Sequence, residues 1–577
     1  MKSIVKFVSV AILLVILVVP LLVACDDDDE DKSPSPTETV EPTQPTDQPT
    51  AEPTAEPTVP AEPAKPEGTL TIAVAQLSVR ELIGPLGLSA ATDRTISASI
   101  FDHLVCAKTD GSGYAPWLAE SWEIAPDGGS VTFKLREGIQ FHDGWGELTA
   151  EDVKFTIETI QNPNLSGWAE YQTYTPGIID RVETSGPYTV TIYSDNTMAD
   201  FILDYLTPTN GAASTPILCK AYYDAVGFEE ANAHLIGTGP YKFVSFKMAQ
   251  SYMLEAVDEH WRAVPEFKKV VFKEVPEEMT RMAMMQTGEA DIAQLGIEHA
   301  ANLEKEGFEV VSIPNGYYQI MWLLGQWLPE HEGYDPDSPF MQKEVRMAMN
   351  LAIDREEIAE ALYHGMAEPI AGQQVFRWGE SLDPYPYDLD RAQELMAEAG
   401  FPDGFEGEMW ITTMPGGQPS MYDCSLAVAG YWDQLGIDLE IRELNIMSVY
   451  GDILARKIKN VVLNHQTMID AVSGARSFFV MGNTDVARYP MFAHPGFQNM
   501  IEAAMAATSL EERAAAEKAM IEYVYDNYVM VPLVAVDLTF VISDRVGHWE
   551  PIHMQYLDLE YATHADPLNT TKLIPEP

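Results

Sequence analysis

The stretch from Ser33 to Pro66, SPSPTETVEPTQPTDQPTAEPTAEPTVPAEPAKP, has a proline at nearly every third or fourth position, with Thr and Glu between. A segment with almost nothing apolar to bury cannot offset the entropy of ordering, and each proline removes an amide donor that a helix or sheet needs. It is predicted to be a disordered, extended tether. At about 3.1 Å per residue in polyproline geometry, its reach is on the order of 100 Å. What folds must therefore lie after it, from Gly68 to Pro577, a length that suits two or three domains.

Before the tether, Lys2 and Lys6 precede an apolar run from Phe7 to Ala24 that ends at Cys25. The run is long enough to cross a bilayer. However, Pro20 breaks its end and no Lys or Arg flanks its far side before Lys32, which favours a processing signal. Leu22-Val23-Ala24-Cys25 resembles a bacterial lipobox, and this implies that Cys25 becomes the new N-terminus and is lipidated. Two or more acyl chains hold a protein firmly at a membrane. The expected layout is a lipoprotein signal peptide over 1–24 and a lipidated cysteine with its acidic tether over 25–67. Net charge is -53, from 88 acidic against 35 basic residues, which repels nucleic acid and anionic headgroups. Such acidity suits a well-solvated exported protein; adaptation to salt and an affinity for cations are the alternatives. Cys106, Cys219 and Cys424 are too widely spaced for a disulfide framework, although one bridge is compatible with export.

Along the folding part, Gly68 to Ala75 alternates as a strand, and WEIA with VTFKLR flank the turn Pro126-Asp-Gly-Gly129 as a hairpin. Thr149 and Asp152 form a capping box before a helix whose buried face carries Val153, Ile157 and Ile160. GTGPYKF from Gly237 lacks the lysine and helix start of a phosphate loop and reads as a tight turn into a second hairpin. A helix capped by Gly288 precedes the strand ADIAQL. After Ile313 helices dominate: Val345, Ala348, Met349, Ala352 and Ile353 repeat at helical spacing, and Asp354 caps the next helix. EMWITTM, a helix ending at Gly436, and IDLEIREL form a β-α-β unit. A long helix from Ser509 to about Asn527 leads into the buried strand VMVPLVAV.

Catalytic signatures are missing: no His-Glu-x-x-His, Gly-x-Ser-x-Gly, phosphate loop or Cys-x-x-Cys occurs. His142-Asp143 sits at a turn and reads as a surface hydrogen bond rather than a catalytic base, and His548 and His553 are badly spaced for a metal. No enzyme activity, metal or cofactor is expected. Aromatic residues instead gather near glycines and loops, at Tyr317, Tyr318, Trp322, Trp327 and Trp378. They serve either a core or a ligand cleft.

The ordered landmarks APWLAESWEIAPDGGSVTFKLREGIQFHDG, LTAEDV, GTGPYKF with DEHW, EVRMAMNLAIDREEI, YDLDRAQELMAEAGFPDG and WDQLGIDLEI resemble the peptide/nickel/dipeptide class of extracellular solute-binding proteins (family 5) of ABC importers, over Thr69 to Leu533. The resemblance implies an α/β, two-lobed Venus-flytrap fold with a discontinuous first lobe and an extra subdomain. Lobe I would comprise 68–102, 206–313 and 530–577, the extra subdomain 103–205, and lobe II 314–529. The crossings would fall at Ile313 to Gly316 and Val529 to Leu533, with either able to act as a hinge. It also implies a monomeric receptor, outside the cytoplasm and anchored to the bacterial cell membrane through lipid, that hands a peptide or other small molecule to an ABC permease and its ATPases. A sensor docking on a signalling receptor and a hydrolase on the same fold are the alternatives.

Peptide-binding members carry a Trp, then an Asp three residues on, then Asp-Pro. In VVLNHQTMIDAVSGARSFF, His465 stands for the Trp and Met468 for the Asp, and Asp470 comes two residues late. The strand before WDQLGI ends Thr412-Thr-Met-Pro-Gly416 without the basic anchor of dipeptide members. The family pattern thus implies a cleft set of Tyr318, Trp322, Gln326, Trp378, Met414, His465, Asp470 and Arg476, faced by Thr92 and Arg94. The aromatics would stack on the ligand, and Asp470 and Arg476 would fix charged ends unless they pair with each other.

Overall fold

A computed structural model describes residues 65–77, 91–108, 114–162, 179–194, 203, 206, 215–372, 382–412, 420–468, 491–505, 507, 510–549 and 559–564. The signal, the tether, Cys25, Trp378, Met414, Asp470, Arg476 and His553 lie outside the described residues.

Strand β1 (Glu67–Val74) opens the fold, followed by a short ribbon of β2 (Val105–Ala107) and β3 (Tyr114–Pro116). A separate antiparallel sheet is built from β4 (Ala119–Ile124), β5 (Ser130–Leu135), β6 (Arg181–Thr184) and β7 (Thr189–Tyr193), in the order β4-β5-β7-β6. β4 and β5 are the hairpin that the alternation of WEIA and VTFKLR predicts. The helix Ala150–Ile160 packs beside it, its start held by Asp152, whose carboxylate accepts from the N–H and hydroxyl of Thr149 at 2.9 Å each.

The chain then adds β8 (Tyr241–Lys247), β9 (Ser251–Ala256), β10 (Phe267–Glu274), β11 (Ile292–Gln294), the 16-residue β12 (Glu309–Leu324), β13 (Ala367–Pro369), β14 (Glu406–Thr412), β15 (Asp438–Leu444), β16 (Val461–Met468), β17 (Met530–Ile542), and a ribbon of β18 (Val546–His548) and β19 (Thr563–His564). The main sheet runs β15-β14-β16-β12-β17-β11-β1-β10-β9-β8, with β13 on β17. Its two halves are joined through β12 and β17 alone in this order. β17 and the second half of β12, from Tyr317 on, are buried almost throughout, as strands covered on both faces are, whereas Glu309 to Asn315 is largely open. Along β12, Ile320, Trp322 and Leu324 enter one core cluster, while Met321 and Leu323 enter the other.

The crossing is written in the pairing. Glu309 to Ile313 pair with Ile542 to Leu538, and Tyr317 to Trp322 pair with Val536 to Met530, with a break in register between Ile313 and Tyr317. Pro314-Asn-Gly316 therefore bulges out between the two paired stretches. On its other edge β17 passes from β13, paired through Val536, to β11, paired from Phe540. A Cβ on Gly316 would stand 2.3 Å from Leu538 Cγ. Gly316→Ala is expected to lower the urea unfolding midpoint, with a loss of about 1–3 kcal/mol from overpacking; an unchanged midpoint would show that the bulge relaxes freely.

Cys106, Cys219 and Cys424 are all buried and form no disulfide among the described residues. One further expectation changes. His142 is no surface group: it is 5% exposed, and its Nε2 meets Gly239 O at 2.8 Å while the Gly237 N–H faces its Nδ1 at 3.4 Å. Asp143 pairs instead with Lys242 at 2.9 Å. Gly237 must be glycine because a Cβ there would lie 2.1 Å from Ile100 O, so GTGP is a close backbone crossing rather than a ligand loop.

Candidate functional site

Beside the crossing strands, between the two halves of the main sheet, lies a cleft of ≈ 230 Å³. Glu278 and the start of the helix Ile297–Lys305 line one wall; Ala361 to His364 and Asp423 line the other; Tyr317, Asp537 and Thr539 form the floor. The strand β11 delivers the first wall, since its chain turns at Gly296 directly into that helix. The second wall comes from the C-terminal turn of the helix Arg355–Tyr363 and the first turn of the helix Ser420–Asp433.

The polar groups here are anchored. Glu278 Oε1 accepts from the Gly296 N–H and pairs with His299 Nδ1 at 3.2 Å. Thr539 donates its hydroxyl to Leu295 O. Asp537 accepts from the Asn315 N–H at 3.0 Å and the Ser312 hydroxyl at 2.8 Å. Beneath the cleft, Gln319 Nε2 donates to the Tyr363 hydroxyl at 2.6 Å, which in turn bonds the Cys424 thiol; burial still pushes that thiol up to about 12, so it is inert as a nucleophile. Four carboxylates, two histidines and no Lys or Arg occur among the described lining residues. The cleft therefore favours a neutral or cationic group over an anion. It is smaller than the roughly 300–1,000 Å³ of a drug-sized site, which suits one end of a solute.

Of the residues implied by family pattern, Tyr318, Trp322 and Gln326 are 5%, 1% and 1% exposed and none lines this cleft. Tyr318 and Trp322 are core residues, Trp322 lying over Phe492 with ring centroids 6.4 Å apart. Gln326 donates to Leu323 O and Val529 O and meets His494 Nε2 at 2.8 Å, leaving little for a ligand. His465 pairs with Ile320 on β16, and Thr92 and Arg94 fall in the first turn of the helix Ala91–Ile100. The sequence reading missed Glu278, Glu298, His299, Asp423 and Asp537. One signal was available: Asp537 is the single charge in the apolar strand MVPLVAVDLTFVI.

Two α/β lobes joined by two crossing strands, with a cleft at the crossing, define a two-lobed binding protein of the periplasmic type. Residues 113–478 match the family described as bacterial extracellular solute-binding proteins, family 5 Middle, and the chain belongs to that family. It is 28% identical over 380 residues to Heme-binding protein A of Haemophilus influenzae, covering 61% of this chain and 67% of that one. It is 30% identical over 298 residues to the Glutathione-binding protein GsiB of Pectobacterium atrosepticum, where the match spans 51% of this chain and about half, 54%, of the relative. Among solved structures, the periplasmic binding protein DppA of Helicobacter pylori in complex with the peptide STSA superposes with a TM-score of 0.67 at 22% identity, covering 86% of this chain and 97% of that one. All three are binding proteins, and this chain is a solute-binding protein that acts outside the cytoplasm.

Proposed function

We propose that this protein is the lipid-anchored receptor of an ABC importer, capturing a peptide-like or other small organic solute between its lobes and passing it to the permease. Family membership over 113–478 carries this reading. The names of the relatives, which bind heme, glutathione and a peptide, set the range of solutes. In this reading lobe I comprises 68–102, 206–313 and 530–577, the extra subdomain 103–205, and lobe II 314–529. Met414 follows the end of β14 at Thr412, and Asp470 and Arg476 follow the end of β16 at Met468. Ligands in open α/β sheets sit beyond such carboxyl ends, so these residues, with Trp378, His465, Thr92 and Arg94, remain the proposed contacts. Asp423 and Glu298 add a preference for a cationic end.

Cys25 provides the anchor. Cys25→Ser should abolish incorporation of labelled palmitate; retained label would remove the lipoprotein reading. Native mass spectrometry of the full chain bearing Cys25→Ser tests the receptor itself. A discrete small mass retained in the folded protein and lost on denaturation is expected. A matching ligand added at 100 times its Kd should stabilise by about 2.7 kcal/mol. A bare protein with no thermal shift across peptide, glutathione and heme panels would sink the importer assignment.

A further inference from the structure

Asp537 is the one charge in the thirteen residues of β17 and sits where the register against β12 breaks, between Val536 opposite Tyr317 and Leu538 opposite Ile313, and where the other edge passes from β13 to β11. Its neighbours Ala535, Val536, Leu538 and Phe540 are buried and apolar. Asp537 itself is half-buried, and both of its oxygens are engaged. One accepts from the Asn315 N–H at 3.0 Å and the other from the Ser312 hydroxyl at 2.8 Å, so a single side chain brackets the bulge Pro314-Asn-Gly316. Asn315 has φ +56, in the sparsely populated left-handed region, and Gly316 has no room for a side chain. The Asp537 N–H reaches the other way, to Met366 O at 3.0 Å, just before β13. The residue thus contacts the first crossing, sits in the second, and is tied to a loop of the second lobe.

Lobe motions in two-lobed proteins are absorbed by a few backbone angles at such crossings. We infer that Asp537 is a hinge clasp: by holding the Ser312 hydroxyl and the Asn315 amide it fixes the angles of the bulge and biases the lobes toward the arrangement seen here. In this role it is a positioning residue, acting through backbone geometry, while its side chain also forms part of the cleft floor. The inference rests on the two-lobed receptor reading, but lobe separation is measured without any solute, so its failure leaves solute capture untouched.

The test is a distance distribution between spin labels in the full chain bearing Cys25→Ser. Labels go on Glu304→Cys in the helix Ile297–Lys305 and Glu360→Cys in the helix Arg355–Tyr363, both exposed positions on opposite lobes. Cys106, Cys219 and Cys424 are buried and spared. The parent should give one dominant separation, and Asp537→Ala should shift the ratio of major to minor separations about tenfold. Asp537→Asn, which keeps an oxygen for the Asn315 amide and a polar group for Ser312, should restore most of the parent distribution. Ser312→Ala should move it by less than Asp537→Ala. An Asp537→Ala distribution that superposes on the parent overturns the clasp, whatever happens to its melting temperature. Equal shifts for Asp537→Asn and Asp537→Ala overturn it as well. If Asp537→Ala does not fold, Ser312→Ala decides: an unchanged distribution refutes the inference.

Discussion

Replacing Asp102 with alanine should destabilise the first lobe by about 3–5 kcal/mol, the cost of leaving a buried charge without its partner. Asp102 is fully buried, and its two oxygens accept from Trp117 Nε1 at 3.1 Å, Arg262 Nη2 at 2.8 Å, and Thr238 Oγ1 and Trp261 Nε1 at 3.0 Å each. Burial alone would raise its pKa. The Arg262 charge, with hydrogen bonding from His260 and Trp261, outweighs burial and holds the carboxyl well below the usual range. Removing it strands a guanidinium only 7% exposed and two half-buried indole donors. Arg262 keeps Glu560 as a second partner, which places the expected loss toward the lower end of the range. Urea unfolding followed by tryptophan emission measures both effects, because Trp117 and Trp261 report the node directly. Asp102→Asn retains an acceptor and should lose distinctly less. A loss under about 1 kcal/mol for Asp102→Ala would mean that water replaces the carboxylate, and that the site is a solvated loop contact.

The same node shows what the sequence could and could not disclose. APWLAESW, GTGPY and DEHW are separate landmarks in the chain, and their hairpin and turn patterns are legible as local structure. What joins them is long-range: Trp117, Thr238 and Trp261 are far apart in sequence and converge on Asp102. Helical periodicity likewise picked out Val345, Ala348 and Met349 as a buried face, and all are fully buried. It had nothing to say about Arg346, Asn350 and Arg355 on that helix and the next. These polar groups are buried too, and donate to Asn527 O, Met530 O and Pro532 O at the entrance to β17. A buried arginine with carbonyl partners has the same letter as an exposed one, and only tertiary structure separates them. The aromatic cluster was ambiguous for the converse reason. Tyr318 and Trp322 suit either a cleft or a core, and alternation along a strand covered on both faces carries no sign of which. The β-α-β unit of β14 and β15 was readable because its period changes between strand and helix; the acidic cleft was not, because its lining comes from six segments.

Stability should fall steeply between about pH 6 and pH 4 because of three buried histidines. Burial is the leading cause in each: His103 and His494 are held down to about 3 and His142 to about 4, against an ordinary value of 6.5. Their hydrogen bonds agree with a neutral ring. His142 donates through Nε2–H to Gly239 O and presents a bare Nδ1 to the Gly237 N–H, so a second proton would set two donors against each other. His494 is held in the same sense, Nε2 toward Gln326 Oε1 at 2.8 Å and Nδ1 facing the Tyr523 hydroxyl at 3.4 Å. With the folded pKa depressed, the contribution is complete above about pH 6.5. It is lost as pH falls, because the unfolded chain binds protons that the folded chain refuses. Each group adds a slope of about 1.4 kcal/mol per pH unit, or about 4 for three in one cooperative transition. Asp152 and Asp291, raised by burial, act with the opposite sign near the carboxylate range, while the depressed Asp102 reinforces the loss there. Against a typical total of about 5–15 kcal/mol, the histidine term alone is large enough to unfold the protein before pH 4. Melting temperatures should be flat above pH 7 and drop sharply below pH 6. His142→Asn, which can imitate one donor and one acceptor but cannot titrate here, should reduce that slope by about a third. Melting temperatures that stay level down to pH 5 would show that these rings reach water in the folded state and take up protons there as readily as in the unfolded chain.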